Sequence, residues 1–274
     1  MTMAEIPSAL SGLAAIAARL PGRRPALFLD FDGTLSPIVA RPDDARLPAA
    51  TRQLLAALAE HCPVALISGR ALADLRARVG LGQLAYAGNH GFELALPGRS
   101  PQLHAEAEVG AASIRRVAPL LAAEVERWPQ AIFEDKGPTL TLHYRRCSDE
   151  VAGALQQRVA QRIAEFPDLE LRGGKQVLEV RPRSAWGKGK AVRWLLAELG
   201  LASREALPIF IGDDVTDEDA FRELAEDGLG VHVGTPGTPT AASFRLADTD
   251  QVQAFLERLL SALAGRTGPL TSAR

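Results

Sequence analysis

The sequence predicts an α/β fold, a doubly wound parallel sheet of Rossmann-like build with a smaller α+β unit inserted into it. Three observations predict it. Short β-like apolar runs alternate with helix-period segments in the first hundred or so residues and again after residue 183, the rhythm of a parallel sheet covered by helices on both faces. The run Ala26-Leu27-Phe28-Leu29 drives into Asp30-Phe31-Asp32-Gly33, as a buried strand ended by turn chemistry does. Between these regions the alternation gives way to two helix-like stretches, each followed by a pair of strand-like runs, which fits an antiparallel sheet with helices on one face. The expected division is a core of residues 1–102 and 183–274 and an inserted unit of residues 103–182.

Taken in order, residues 8–19 are apolar but short, and Glu5 and Pro7 precede them where a signal peptide would carry basic residues. They are also too few to span a bilayer and read as a small packing helix. Core strands are expected at 26–29, 64–67, 84–87, 207–211, 230–233 and 244–246, with helices at 49–60, 71–79, 190–199 and 217–225 between them. In the insertion, helices are expected at 106–127 and 149–165. One strand pair, 131–135 and 139–144, flanks Lys136-Gly137-Pro138; the other, 169–172 and 176–180, flanks Gly173-Gly174. A Gly/Pro-rich loop at 234–239 and a polar C-terminal tail complete the chain, which shows no repeat of fixed period.

Composition narrows the function. With 274 residues and 47% hydrophobic content the chain can bury a sizeable core, and its net charge of −2 argues against the basic footprint of a nucleic-acid binder. Cys62 and Cys147 are the only cysteines, which leaves neither a disulfide framework nor a cysteine-rich zinc site and makes a reducing cytoplasm the simplest home.

Four fragments carry chemistry. Asp30 and Asp32 suit an Asx turn before Gly33, but two carboxylates at the C-terminal end of a buried strand lie where open α/β sheets bind ligands, and so close together they demand a cation or a shared proton. Ser68-Gly69-Arg70 follows the second strand and offers a hydroxyl and free backbone N–H groups at a helix start, a plain N-cap or an anion site. Arg70 stands eight positions after Cys62 instead of six, so a cysteine-phosphatase loop is excluded. Gly187-Lys188-Gly189 opens a helix, where the dipole disfavours a cation unless it serves an anion; Pro182 and Gly189 rule out a Walker loop. Gly212-Asp213-Asp214-Val215-Thr216-Asp217-Glu218-Asp219 is rich in acids, partly as helix capping with Thr216 and Asp219 as a box-like pair. Capping leaves Asp213 and Asp214 unexplained. Hard oxygen ligands from two strand ends, without a histidine cluster, suit Mg²⁺ over Zn²⁺.

D-F-D-G-T, S-G-R, G-K-G and G-D-D-x-T-D in this order, with a long insertion between the second and third, resemble the haloacid dehalogenase superfamily of phosphatases. The pieces Gly88-Asn89-His90-Gly91-Phe92-Glu93, Glu134-Asp135-Lys136-Gly137, Leu142-His143-Tyr144-Arg145 and Gly174-Lys175 through Glu179-Val180-Arg181-Pro182 are similar to those of trehalose-6-phosphate phosphatases. The resemblance implies a haloacid dehalogenase core under an inserted cap, free-standing without a synthase domain. It also implies a Mg²⁺-dependent hydrolysis of trehalose 6-phosphate. Asp30 would be the nucleophile and Asp32 the acid and base, with Ser68 and Lys188 on the phosphoryl oxygens. The metal would be held by Asp30, the Asp32 carbonyl and Asp213, with Asp214 counted at the same site and both Asp214 and Asp217 orienting metal-bound waters or Lys188. Substrate contacts would come from Gly69, Arg70, Asn89 and His90, and from Glu134, Lys136, Lys175 and Glu179 on the distal sugar. Another sugar phosphate such as sucrose 6-phosphate is the nearest rival substrate, and a non-catalytic sensor or synthase partner the rival class. The expected partner is a small molecule alone, with no nucleic acid or membrane, and the expected state a cytoplasmic monomer.

Overall fold

The computed structural model describes residues 6–39, 41–174, 176–201 and 206–265. In chain order its strands are β1 (Arg24–Leu29), β2 (Val64–Ile67), β3 (Ala85–Gly88), β4 (Glu93–Ala95), β5 (Gln102–Leu103), β6 (Ile132–Asp135), β7 (Leu140–His143), β8 (Leu169–Gly174), β9 (Val177–Pro182), β10 (Ala206–Gly212), β11 (Leu229–Val233) and β12 (Phe244–Leu246). The helices are α1 (Leu13–Ala18), α2 (Ala49–Ala59), α3 (Leu72–Val79), α4 (Ala105–Val109), α5 (Ala111–Val125), α6 (Asp149–Ile163), α7 (Lys188–Glu198), α8 (Glu218–Glu223) and α9 (Thr249–Ala264).

Strands β12-β11-β10-β1-β2-β3 pair in parallel, and β4 and β5 extend that sheet antiparallel at one edge. The antiparallel edge was not expected; strands of three and two residues give almost no periodicity to read. The central strands are buried on both faces, so they are continuous Ala/Leu/Ile/Phe runs without alternation. Leu27, Leu29, Leu66, Ile209 and Ile211 enter one apolar cluster and Ala26, Phe28, Ala65, Ile67 and Phe210 the other, one on each side of the sheet. From β1 the chain winds outward through β2 and β3, then returns to β10 on the other side of β1 and winds outward through β11 and β12. The crevice at such a reversal lies at the carboxyl ends of β1 and β10.

The second sheet, ordered β6-β7-β9-β8, is fully antiparallel. Its alternation is that of a half-buried sheet: Leu140, Leu142, Leu178 and Val180 pack with Ile114, Val117, Leu121, Leu155 and Val159 of α5 and α6, and the intervening residues face away from that core. The expected helix over 106–127 is divided at Gly110, where a Cβ would come within 2.9 Å of Pro182 Cβ. The chain crosses between the sheets twice, and the crossings are pinned together. The His104 ring stacks on Trp186 with centroids 3.5 Å apart, and Ser184 Oγ donates to Glu106 Oε2 at 2.7 Å.

At the C-terminal end of the chain α9 is a full helix that the sequence reading did not name. Asp248 caps it by accepting from Gln251 N at 2.9 Å, and it buries Val252, Phe255, Leu256, Leu259 and Leu263 at helical spacing. Among the described residues no helix is long and apolar enough to cross a membrane.

Candidate active site

Four strand ends and one helix start converge. Asp30 follows β1, its N–H held by the Ile211 carbonyl of β10 at 2.9 Å, and Asp213 and Asp214 follow β10. Lys188 is the first residue of α7, two residues earlier than the helix expected at 190. Its Nζ donates to Asp30 Oδ1 at 2.8 Å and Asp217 Oδ1 at 2.6 Å. Asp217 Oδ2 accepts from the backbone N–H groups of Asp213 and Asp214, both at 2.9 Å, so one buried carboxylate fixes both the lysine and the turn after β10. Burial alone would strip the charge from Lys188. Asp217 and Asp30 overcome it and hold the ammonium well above the ordinary lysine range. Burial pushes the Asp30 carboxyl well above its ordinary range; Lys188 opposes this, while Asp217 and Asp213 add to it. Gly33 has φ +84°, and a Cβ there would overlap the Asp213 carboxylate, so both its backbone and its bareness are required for the two loops to meet.

One carboxylate oxygen each from Asp30, Asp213 and Asp217 lies within 4.8 Å of the others. Such a crowd of hard anionic oxygens fits a divalent cation of the Mg²⁺ kind, which would relieve the repulsion among them. The cluster differs from the expected set of Asp30, Asp32, Asp213 and Asp214. The Asp214 side chain is turned to its own helix start, where it accepts from Val215 N at 2.7 Å and forms a capping box with Asp217. That box replaces the expected Thr216–Asp219 pair, because the chain enters a short 3-10 turn at Val215–Asp217 before α8. The Asp32 carboxylate is outside the cluster as well. Arg70 clamps it bidentately, Nε to Oδ2 at 2.6 Å and Nη2 to Oδ1 at 2.7 Å.

Arg70 also reaches Asp74 at 2.8 Å and the Pro42 carbonyl at 3.0 Å, and lies over the Phe31 ring. Expected as a substrate contact, it is engaged here in orienting Asp32. Ser68 is buried after β2, where its Oγ accepts from Arg70 N at 3.2 Å. This is a local turn contact; the N-cap of α3 is Ala71.

The second sheet stands over these loops. Lys136, in the turn between β6 and β7, donates through Nζ to the Gly69 carbonyl at 2.9 Å. His90 Nε2 meets Glu179 Oε2 at 3.0 Å, and Arg145 Nη1 donates to the Val39 carbonyl at 2.7 Å. Burial would raise the Glu179 carboxyl, but His90, then Lys136 and Arg181, hold it down at about 2. For Glu134 burial is likewise outweighed, chiefly by the His143 ring donating at 2.8 Å, and its carboxyl lies below the ordinary range. Asn89 and His90 both have positive φ, 48° and 55°, a left-handed pair that non-glycine residues adopt only when their surroundings impose it. The imposition is visible. Asn89 Nδ2 donates to Glu93 and to the Lys136 carbonyl, and Asn89 Oδ1 accepts from Thr139 Oγ1 at 2.9 Å.

A cavity of about 240 Å³ lies between the two sheets. Asp30, Asp32, Ser68, Gly69, Arg70, His90, Glu134, Lys136, Glu179, Lys188, Asp213 and Asp214 all line it. Asn89 does not: it is wholly buried behind the wall as a joint between the sheets. Lys175 lies outside the described residues. Sequence reasoning missed Arg41, Gln130, Thr141, His143, Arg145, Arg146, Gln176 and Thr216 as wall residues. For Thr141 and His143 a signal existed: the period of two that puts Glu134 and Glu179 toward the cavity puts these two beside them. Arg41 and Gln130 sit in loops with no periodic pattern to read.

Comparison with known proteins agrees with this geometry. A trehalose-phosphatase family model matches residues 28–250. The chain is 40% identical over 259 residues to a probable trehalose-phosphate phosphatase 4 of Oryza sativa subsp. japonica, covering 93% of this chain and 71% of that one. It is 38% identical over 279 residues to the trehalose 6-phosphate phosphatase RA3 of Zea mays, covering 96% and 77%. The solved C-terminal domain of a C. albicans trehalose-6-phosphate phosphatase superposes with a TM-score of 0.79 at 25% identity, covering 93% of this chain and 98% of that domain. A match that starts inside β1 and runs into α9 takes in both carboxylate-bearing strand ends and the whole second sheet, and the chain accordingly belongs to the trehalose-phosphatase family.

Proposed function

We propose that this chain hydrolyses trehalose 6-phosphate to trehalose and phosphate through an aspartyl-phosphate, with Mg²⁺ as cofactor. The observation that carries the reading is Asp30. It is a buried carboxylate at the sheet's reversal point, held by a buried lysine and opening into a cavity whose far wall is polar. Asp30 Oδ attacks phosphorus in line, and the bond to the sugar oxygen breaks as Asp32 gives that oxygen its proton. Asp32 then takes a proton from the water that hydrolyses the acyl phosphate, which frees Asp30 and phosphate. Arg70 holds Asp32 at the site and must free one of its oxygens for the proton that Asp32 gives, while Lys188 and Ser68 hold the phosphoryl oxygens as charge builds on them. Asp30 and Asp213 would hold the cation with the Asp32 carbonyl, Asp217 bracing them from behind. Bound there, it neutralises phosphate charge that would otherwise repel a carboxylate.

In this reading the four-stranded unit, within the 103–182 division expected from sequence, is a cap that excludes water and selects the sugar. Glu134, Lys136, Lys175 and Glu179 would meet distal hydroxyls, where an unmatched ligand leaves buried polar groups unpaired. The reading carries with it a cytoplasmic monomer acting on a small molecule, without nucleic-acid or membrane partners. Phosphate release from trehalose 6-phosphate, measured beside sucrose 6-phosphate and glucose 6-phosphate with magnesium or chelator, tests it. Trehalose 6-phosphate should be the preferred substrate, chelator should stop the reaction, and Asp30→Asn should release no phosphate above background. Turnover by Asp30→Asn at the wild-type rate would refute the covalent route.

A further inference from the structure

The cap sheet turns a short row of side chains to the cavity. Glu134 of β6 stands opposite Thr141 of β7, and Thr141 opposite Glu179 of β9. Two of the row's acceptors are engaged, Glu134 Oε2 by His143 and Glu179 Oε2 by His90. Thr141 Oγ1 and Glu179 Oε1 are buried and have no hydrogen-bond partner among the described residues. Both belong to buried residues, at 3% and 8% exposure. Leaving such atoms unpaired is unfavourable, and packing does not ask for a hydroxyl at 141, since valine has the same shape. The apolar work of β7 is done on its other face by Leu140 and Leu142.

We propose that Thr141 is a specificity-determining residue whose hydroxyl, together with Glu179 Oε1, binds one hydroxyl of the substrate's outer sugar ring. The chemistry of the pair selects the ligand. Glu179 as a carboxylate can only accept, whereas Thr141 can donate, and a sugar hydroxyl satisfies both by donating to one and accepting from the other. A phosphate oxygen placed there would face the Glu179 anion, so the phosphoryl end belongs at Lys188 and the neutral end here. The proposal rests on the trehalose 6-phosphate reading and adds to it a residue outside the expected substrate contacts.

The test is steady-state kinetics of wild type, Thr141→Val and Thr141→Ser on trehalose 6-phosphate, on p-nitrophenyl phosphate, and on monodeoxy trehalose 6-phosphates each lacking one outer-ring hydroxyl. Thr141→Val should lower kcat/KM for trehalose 6-phosphate about tenfold or more relative to p-nitrophenyl phosphate, and Thr141→Ser should restore most of it, as loss of one buried hydrogen bond predicts. One deoxy substrate should lose at least as large a factor with wild type, since it forfeits the Glu179 contact too, and Thr141→Val should cost that substrate nothing further. Equal losses on both substrates, or additive losses with every deoxy substrate, would overturn the proposal while the trehalose reading stands. Wild type that cleaves the aryl phosphate and leaves trehalose 6-phosphate untouched would overturn both.

Discussion

At the scale of single residues, the site is governed by three charged groupings that answer burial in different ways. Lys188 lies between Asp30 and Asp217, out of water, and removing one member of a buried group of charges leaves the others uncompensated. Lys188→Gln is therefore expected to lower kcat by about 10²–10³ through lost phosphoryl stabilisation. A denaturant midpoint below wild type would accompany it, and rapid-quench and urea titration separate the two effects. Glu179 shows a second answer. Its folded-state value near 2 lies below the ordinary 4.5. The stability it contributes is thus fully present above about pH 4.5 and is lost as pH falls toward 2, on the order of 3 kcal/mol at most. The urea-unfolding stability difference between wild type and Glu179→Gln should be constant above about pH 4.5 and shrink as pH falls from there to about 2; a difference that does not change over that window would remove the His90–Glu179 pair from the account. Arg70 is the third case. Its planar fork grips both oxygens of Asp32, a geometry that a lysine cannot reproduce.

At the scale of elements, precision comes from where strands stop and helices begin. β1 and β10 pair in register from Arg24 with Ala206 to Leu29 with Ile211, so their following aspartates emerge side by side. The N-terminus of α7 then presents Lys188 to both loops, an unfavourable place for a cation without the two carboxylates it meets. The β6–β7 hairpin docks on the core through Asn89, which bonds both Thr139 and the Lys136 carbonyl from its left-handed turn. Thr139→Val keeps the shape and leaves the buried Asn89 Oδ1 without its donor, which should cost about 1–3 kcal/mol by urea unfolding. It should also raise KM for trehalose 6-phosphate more than it lowers kcat, because the hairpin carries Glu134 and Lys136. A Thr139→Val enzyme with wild-type stability and KM would show that this joint does not hold the cap.

At the scale of the whole molecule, one reversal of winding places the acids of two distant segments at the same crevice, and the second sheet closes over it. Because the acidic cluster repels itself, a divalent cation should stabilise the fold: magnesium at about a hundred times its dissociation constant is expected to add about 2.7 kcal/mol to unfolding. Thermal denaturation with magnesium and with chelator measures it, and Asp213→Asn should remove most of the increment. Much of this was legible in the chain. The apolar strand runs, the turn glycines and the strand-end acids are local patterns, and β2 and β12 fall at the residues read as strands. What failed was short or non-local: the two small edge strands, the break at Gly110, and the partners of Asp214, Asn89 and Arg70. Alternation and propensity act within a few residues, so they determined the two kinds of sheet, the core, and which segments carry chemistry. Which carboxylate takes Lys188, which takes Arg70, and which polar residues join the sheets instead of lining the cavity depend on distances between separate segments of the chain, 38 residues apart for Asp32 and Arg70 and 158 for Asp30 and Lys188. Only the tertiary packing sets those distances.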